Sequence, residues 1–346
     1  SDIIDSSLDF SNYTLMSYTD PEGARYYDSG GNYQYLISST PMVYDIAAIQ
    51  YLYGAAKNNE GNTTYTYDPN QPFVEAIWDT SGYDTLDLAS FSEDCTINIF
   101  AGNYSTIACD DWSMDDNLGI AQGVTIEKVI AGSGNDIIIG NAADNHLIGN
   151  SGSDIISGGD GNDTIRGGTG DDILSDFGIS TIYGGSGNDT FNRDDNDPES
   201  DGTYGLVVYG GEGNDTFNYL INIKTLEAGN GDDVVAILGN GTQSPTSISG
   251  GDGYDKLTIN AHYPYWSVIS GFEEISADGI GVIPDHIGQE GTTLKFSYVN
   301  QADLDFSAES DANIEINTNT RTREAEDDTR DDTLIGGALD DIINSL

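Results

Sequence analysis

Basic residues are scarce in this chain of 346 residues: 11 Lys and Arg stand against 59 Asp and Glu, a formal net charge of −48. With no basic patch there is no electrostatic footprint for a nucleic acid, and none is expected as a partner. Histidine is scarcer still. His146, His262 and His286 are the whole complement, and none stands in an HExxH arrangement. No G-x-S-x-G elbow or Cys/His pair offers a nucleophile, so no catalytic residue and no organic cofactor site is nominated. No apolar run reaches 18 residues, which argues against a helical membrane span. The opening SDIIDSSLDF has neither a basic n-region nor an apolar h-region, so no Sec-type signal is visible. Cysteine occurs twice, at Cys95 and Cys109, around TINIFAGNYSTIA, which reads as a hairpin with Gly102-Asn103 near its tip. Two buried thiols or one cross-strand disulfide would both fit. The shared hairpin favours the bond, whose loop closure would contribute roughly 3 kcal/mol.

What the chain does have is glycine, 43 residues of it, set in phase with its acids. From Ala131 to Asn192 it reads AGSGNDIII, GNAADNHLI, GNSGSDIIS, GGDGNDTIR, GGTGDDILS, a shortened DFGISTIY, then GGSGNDTFN. This is the G-G-x-G-x-D-x-U-x nonapeptide of parallel β-helices. Glycine permits the tight turn, and the short β-branched run that follows reads as a strand. Two nonapeptides make one coil, so like turns stack at 18 residues: Asp136, Asp154 and Asp172 on one side, Asn145 and Asp163 on the other. Stacked carboxylates repel unless a cation lies between them, and carboxylate plus carbonyl oxygen is the donor set of Ca²⁺. A looser array follows in Gly210–Asn218, Ala228–Ala236 and Gly250–Thr258, and Gly336–Asn344 begins one more unit.

The predicted fold class is therefore all-β, a parallel β-roll preceded by a β-rich layer and a short turn-and-helix segment. Four regions are expected: 1–60, with a helix in PMVYDIAAIQYLY capped by Thr40, ended by Gly54, and carrying Met42, Ile46, Ile49 and Tyr53 on one face; 61–130, a strand layer (TTYTY, EAIWD, DTLDL, CTINIF, TIEKVI); 131–258, the roll, its two arrays separated by an excursion loop at 193–209; and 259–346, a β-rich tail with a terminal repeat unit. The tyrosines, 21 in all, read as half-buried strand positions, with a sugar-binding face as the alternative.

Several stretches carry a resemblance to the serralysin family, secreted metzincin zinc proteases with a calcium-binding β-roll. They are Leu15-Met16-Ser17-Tyr18, Asp45–Gln50 with Leu52-Tyr53-Gly54, Trp78-Asp79 with Gly82 and Asp84, and Gly123–Glu127 leading into the repeats. The resemblance runs from about residue 10 to 192. It makes Met16 and Tyr18 the counterpart of the Met-turn beneath the catalytic zinc. The HExxHxxGxxH helix expected ahead of that turn is absent from this sequence, so Zn²⁺ is not expected in this chain.

The resemblance also implies calcium ligands. Before the roll these are Asp79, Ser81, Gly82 and Asp84, with a loop at Asn59–Asn62, and the pair Thr125 and Glu127. Within the roll, one turn supplies carbonyls from its second and fourth places and the acid at its sixth, and the next coil supplies its first, third and sixth. That nominates Gly132, Gly134 and Asp136; Asn141, Ala143 and Asn145; Gly149, Ser151, Gly152 and Asp154; Gly158, Gly159, Asp160, Gly161 and Asp163; Gly167, Gly168, Gly170 and Asp172; Gly185, Gly187 and Asp189; Gly211, Gly213 and Asp215; and Asp233 and Asp255. The expected function is a secreted β-roll protein that binds several Ca²⁺, folds outside the cell and has a structural role, non-catalytic as this chain. The alternatives are a C-terminal piece of a serralysin-like zinc endopeptidase and a surface-layer or adhesin matrix protein. Partners would be a catalytic domain or further copies at a cell surface.

Overall fold

The computed structural model describes residues 38–109, 114–176, 179–193, 205–238, 245–260 and 268–277, with shorter pieces at 13, 25–27, 33–35, 281–282, 293–297, 304–305, 313–318 and 342–345. Met16, Tyr18, His262 and His286 lie outside them. The backbone groups into two compact units, Ser1–Phe177 and Gly178–Leu346. Among the described residues no helix is long and apolar enough to cross a membrane.

The fold is a parallel β-roll, almost all-β, with one helix among the described residues. In the first unit Thr96–Asn98, Ile137–Ile139, Ile155–Ser157 and Ile173–Asp176 form one parallel ladder. Thr64–Thr66, Thr85–Asp87, Lys128–Ile130, His146–Ser151 and Thr164–Thr169 form the other. The register is the 18-residue one: Ile137 pairs with Ile155 and Ile155 with Ile173. Only the middle residue of each short strand faces inward. Ile97, Ile138, Ile156 and Leu174 are fully buried, as are Val129, Leu147 and Ile165, while Ile137 and Ile155 on the outer face are 37% and 45% exposed. The strand layer expected over 61–130 is thus not a separate cap. All five of its strands form, but three of them (Thr64–Thr66, Thr85–Asp87 and Lys128–Ile130) stack in register as the first rungs of a roll sheet. Only Glu75–Ile77 leaves it, pairing parallel with Leu118–Ile120.

The second unit repeats the plan, with phenylalanines at inward positions of its core. Thr190–Arg193, Thr216–Leu220, Val234–Leu238, Lys256–Asn260 and Glu274–Ala277 make one ladder, which continues through Thr293–Ser297, Asn313–Thr318 and Ile342–Ser345. Thr181–Ser186, Leu206–Glu212, Ile223–Asn230, Ser247–Asp252 and Ile269–Ser270 make the other. Phe191 and Phe217 stack inside it, centroids 4.5 Å apart and planes 3° from parallel. The excursion expected over 193–209 is narrower at both ends, because Arg193 closes a strand and Leu206–Tyr209 open the next.

The helix is Val43–Tyr53, and two details differ from expectation. Its N-terminal hydrogen bond comes from Asp45, whose carboxylate accepts the Met42 N–H at 2.9 Å; the Thr40 hydroxyl instead accepts the Ala76 N–H at 2.8 Å. Only the first turn is packed, with Met42, Val43 and Ile46 buried, whereas Ile49 is 50% and Tyr53 83% exposed. The first turn can sit close because Gly119 leaves room beneath Val43 that a Cβ would fill. Gly54 ends the helix at φ +82° and donates its N–H to the Gln50 carbonyl.

The expected disulfide does not form: Cys95 and Cys109 are buried thiols, not bonded to each other. The hairpin exists, with Thr96 and Thr106 exchanging both backbone hydrogen bonds at 2.8 Å. That register sets Cys95 opposite Ile107, so Cys109 falls two residues past the position a cross-strand bridge needs. Burial pushes the Cys95 thiol up to about 12, which removes the reactive thiolate. Thiol titration of the denatured, unreduced chain is expected to count two thiols; a count of zero would overturn this arrangement.

Candidate metal-binding turns

The nonapeptide places its acid one residue before the strand, at the inside corner of the coil. There the side chain is buried: Asp136, Asp154, Asp163, Asp172, Asp189, Asp215, Asp233 and Asp255 are each at most 2% exposed. In seven of these carboxylates one oxygen accepts a backbone N–H from the coil before. Asp154 Oδ1 accepts the Asp136 N–H at 2.7 Å, and Asp172 Oδ1 accepts the Asp154 N–H at 2.8 Å. On the opposite side of the roll Asp163 Oδ1 accepts the Asn145 N–H at 2.7 Å. In the second unit Asp215, Asp233 and Asp255 continue the pattern at 2.8, 2.7 and 2.9 Å. The second oxygen of Asp136 accepts the Gly132 N–H at 3.1 Å, but in four of the acids it is left over. Oδ2 of Asp154, Asp215, Asp233 and Asp255 is buried with no hydrogen-bond partner.

A buried carboxylate oxygen without a donor carries its full desolvation cost, so the group shifts toward its neutral form. Burial raises Asp154, Asp215 and Asp255 from the ordinary 3.8 to about 7 and Asp233 to about 6. Asp136 is raised for the same reason. Asp163 is raised by burial and then by the nearby charge of Asp176.

Main-chain oxygens complete the arrangement. A Cβ built on Gly149 would lie 2.6 Å from the Gly167 carbonyl and against Asp154 Oδ2, so both oxygens face one spot. Gly210 stands in the same relation to the Ala228 carbonyl and Asp215 Oδ2. Second- and fourth-place carbonyls point the other way along the stack: those of Asn141 and Ala143 lie 2.6 and 2.7 Å from where Cβ atoms of Gly159 and Gly161 would sit. Gly152, at φ +115°, brings its Cα directly over the Gly134 carbonyl, an approach no other residue type permits. Among the described residues no three His, Cys, Asp or Glu side chains converge. The converging donors are carboxylate pairs and carbonyls, all oxygen, which fits a hard cation with a large, adaptable shell.

Not every nominated residue presents a side-chain oxygen. Ser81, Thr125 and Asp160 are exposed. Asn145 Oδ1 accepts the Asn141 N–H at 2.9 Å, and both amides donate to the Ile126 carbonyl, at 2.8 Å from Asn141 and 3.2 Å from Asn145. Two neutral amides thereby close that end of the row where a cation would otherwise balance acids. Ahead of the repeats, Asp79 and Asp84 are buried and Glu127 half-buried, and each accepts one hydrogen bond: Glu127 from the Asp84 N–H at 2.6 Å, Asp84 from the Thr63 N–H at 2.8 Å, and Asp79 from the Tyr65 hydroxyl at 2.7 Å. Burial raises both Asp84 and Glu127. The Asn59–Asn62 loop does close over this group, since Asn62 accepts the Tyr83 N–H at 2.9 Å and the Gly61 carbonyl lies over Gly82. Tyr65 thus serves the acids, and Tyr67 stacks on Phe73 at 4.1 Å; both are half-buried, Tyr65 within the strand Thr64–Thr66 and Tyr67 just past its end.

Sequence reasoning missed three features. Asp176 stands where the shortened unit breaks phase, and its carboxylate meets that of Asp163 beside Gly158. Cys95 occupies the sixth place of the coil before Asp136, donating its N–H to Asp136 Oδ1 at 2.7 Å as the acids do. Third, the fifth place is a second ladder of opposite sense. Asp94 accepts the Asn135 N–H, Asn135 that of Ser153, Asn188 that of Asn214, and Asn214 that of Asp232, at 2.6–2.8 Å. The signal was present, because Asn, Ser or Asp precedes the acid in nearly every unit.

A family model described as Peptidase M10 serralysin C terminal matches residues 44–244. Serralysin from Proteus mirabilis is 41% identical over 152 residues, 40% of this chain and 29% of that protein. Metallopeptidase AprA of Pseudomonas marginalis is 38% identical over 145 residues, 38% of this chain and 29% of that protein. Serralysin B of Dickeya chrysanthemi is 36% identical over 140 residues, 37% of this chain and 27% of that protein. The chain thus spans less than a third of the length of the relatives it matches.

Proposed function

The chain belongs to the serralysin C-terminal family of M10 peptidases, and from that premise we propose that it is a calcium-loaded β-roll that folds when it meets calcium outside the cell. Its role is to form a rigid, metal-stabilised body rather than to cleave peptides itself. The single observation behind this reading is the set of buried, unpartnered Oδ2 atoms on Asp154, Asp215, Asp233 and Asp255, of which those of Asp154, Asp215 and Asp255 each face a backbone carbonyl. Calcium supplies the charge that these oxygens lack, and the residues hold it: the sixth-place acids as anionic ligands, the turn glycines as carbonyl ligands. Ahead of the roll, Asp84 Oδ1 and the Gly61 carbonyl face one spot beside Gly82 and would take a further ion. Low calcium inside a cell would leave the acidic repeats unfolded and fit for export, a secreted location consistent with the net charge of −48.

A second reading has a specific observation in its favour. The matched relatives carry protease names and extend well beyond the matched segment, so this chain would be the calcium-binding portion of a zinc endopeptidase whose catalytic half is its partner. The sequence given contains no HExxHxxGxxH helix, which supports a non-catalytic role for these residues alone. Calcium titration by calorimetry and a casein-cleavage assay with added zinc, both on the purified chain, test the two statements together. Calcium uptake without cleavage is the expected result. Zinc-dependent cleavage would overturn the non-catalytic reading, and absence of calcium uptake would overturn the first.

A further inference from the structure

We infer that the chain holds a calcium ion beyond its last G-G-x-G-x-D turn, between Gly250–Asp255 and the corner Gly271-Phe272-Glu273, with Glu273 supplying the acid. This rests on the calcium reading of the roll. Residues 250–273 lie outside the span of the family match, which ends at 244, and GFE bears no trace of the repeat. Its position in the ladder is nevertheless that of one more turn, cut short. Ser249 pairs with Ser270 and Lys256 with Glu274, so Gly271 stands opposite Gly250 and Glu273 opposite Asp255. Phe272, 1% exposed, alone spans what four residues span in the turn below it.

The short corner draws the backbone back from the acid row, and the extra methylene of glutamate makes up the distance. Glu273 Oε2 accepts the Asp255 N–H at 2.8 Å, the bond that Asp255 Oδ1 makes to Asp233 at 2.9 Å. Asp255 is fully buried, and its Oδ2 has no hydrogen-bond partner. A Cβ on Gly250 would lie 2.6 Å from that oxygen and against the Gly271 carbonyl, so both face one spot, as Asp215 Oδ2 and the Ala228 carbonyl do beside Gly210. The Gly251 carbonyl lies on the same side, 3.4 Å from where a Gly271 Cβ would be. Two carboxylates and two carbonyls, with water completing a shell of roughly 6–8 oxygens, make a calcium site with fewer protein ligands than a full pair of turns. It closes the row and seats the ladder that continues into Thr293–Ser297.

The test compares the full wild-type chain with Glu273→Gln, an isosteric change that keeps the hydrogen bond to Asp255 but removes the charge. Native mass spectrometry in calcium is expected to count one ion fewer in the variant. Hydrogen exchange of peptides covering 250–277 should then need at least about tenfold more calcium to reach the same protection, while peptides covering 131–192 respond as in wild type. An unchanged ion count with an unchanged midpoint at 250–277 overturns the inference. Should the variant lose β-structure even in saturating calcium, the wild-type exchange data decide: protection at 250–277 that rises with calcium upholds the site, and protection equal in chelator and calcium rules it out. A wild-type chain that binds no calcium anywhere would instead defeat the reading of the whole roll.

Discussion

Stripped of calcium by a chelator, the purified chain is expected to lose most of its β-structure between residues 131 and 258 and to regain it at about 1 mM Ca²⁺, within the range of extracellular modules. Each nonapeptide offers the core a single inward side chain, such as Ile138, Leu147 or Ile156, worth about 1.5–3 kcal/mol. For that return it orders nine residues and buries one acid, and a net charge of −48 opposes compaction throughout. A cation between two turns removes the repulsion and satisfies the left-over Oδ2 atoms, so binding energy appears as folding energy. Mg²⁺ should substitute poorly, because its small octahedral shell resists the many carbonyls the turns present. Asp154→Asn should raise the calcium midpoint by about tenfold or more, since this side chain faces its own turn through Oδ2 and the preceding coil through Oδ1. Circular dichroism identical in chelator and in about 5 mM Ca²⁺, a little above the extracellular range, would refute the account.

Acid should partly replace calcium. In the metal-free chain the folded-state values of Asp154, Asp215 and Asp255 are about 7 and that of Asp233 about 6, all raised by burial above the ordinary 3.8. A raised folded value means that the folded roll binds protons the unfolded chain does not. The resulting stability is fully present below about 3.8 and is lost as pH rises through 6 to 7. In chelator, β-structure is therefore expected to grow as pH falls from about 8 to about 5, a window set by these raised values rather than by ordinary carboxylates near 4. Calcium binding near neutral pH should release protons, and its midpoint should rise on acidification because protons compete for the same oxygens. Replacing the four acids together by Asn should flatten the dependence between pH 5 and 8, roughly the range over which ordinary carboxylates stay ionised. A chelated chain whose circular dichroism stays flat or weakens on acidification to about pH 5 would contradict this reading of the buried acids.

What the sequence determined by itself was whatever repeats locally. Glycine followed at fixed distance by an acid and a β-branched run specifies turn, inward corner and strand within nine residues, so coil length, register and the buried acids of both rows could be read without coordinates. The ends of that pattern were decided only by the tertiary structure. Cys95 and Glu273 share the acid's place in the ladder yet lie in segments, SEDC and GFEE, with no repeat to mark them. Their position follows from which strands stack, a long-range pairing that no local window contains. The same holds for Cys109, placed two residues out of register by a hydrogen-bonded pair at Thr96 and Thr106, and for four of the five strands of 61–130, which join the roll through partners 18 to 43 residues away. Periodicity fixes a structure where each unit meets a copy of itself; where it meets something else, packing across the chain decides.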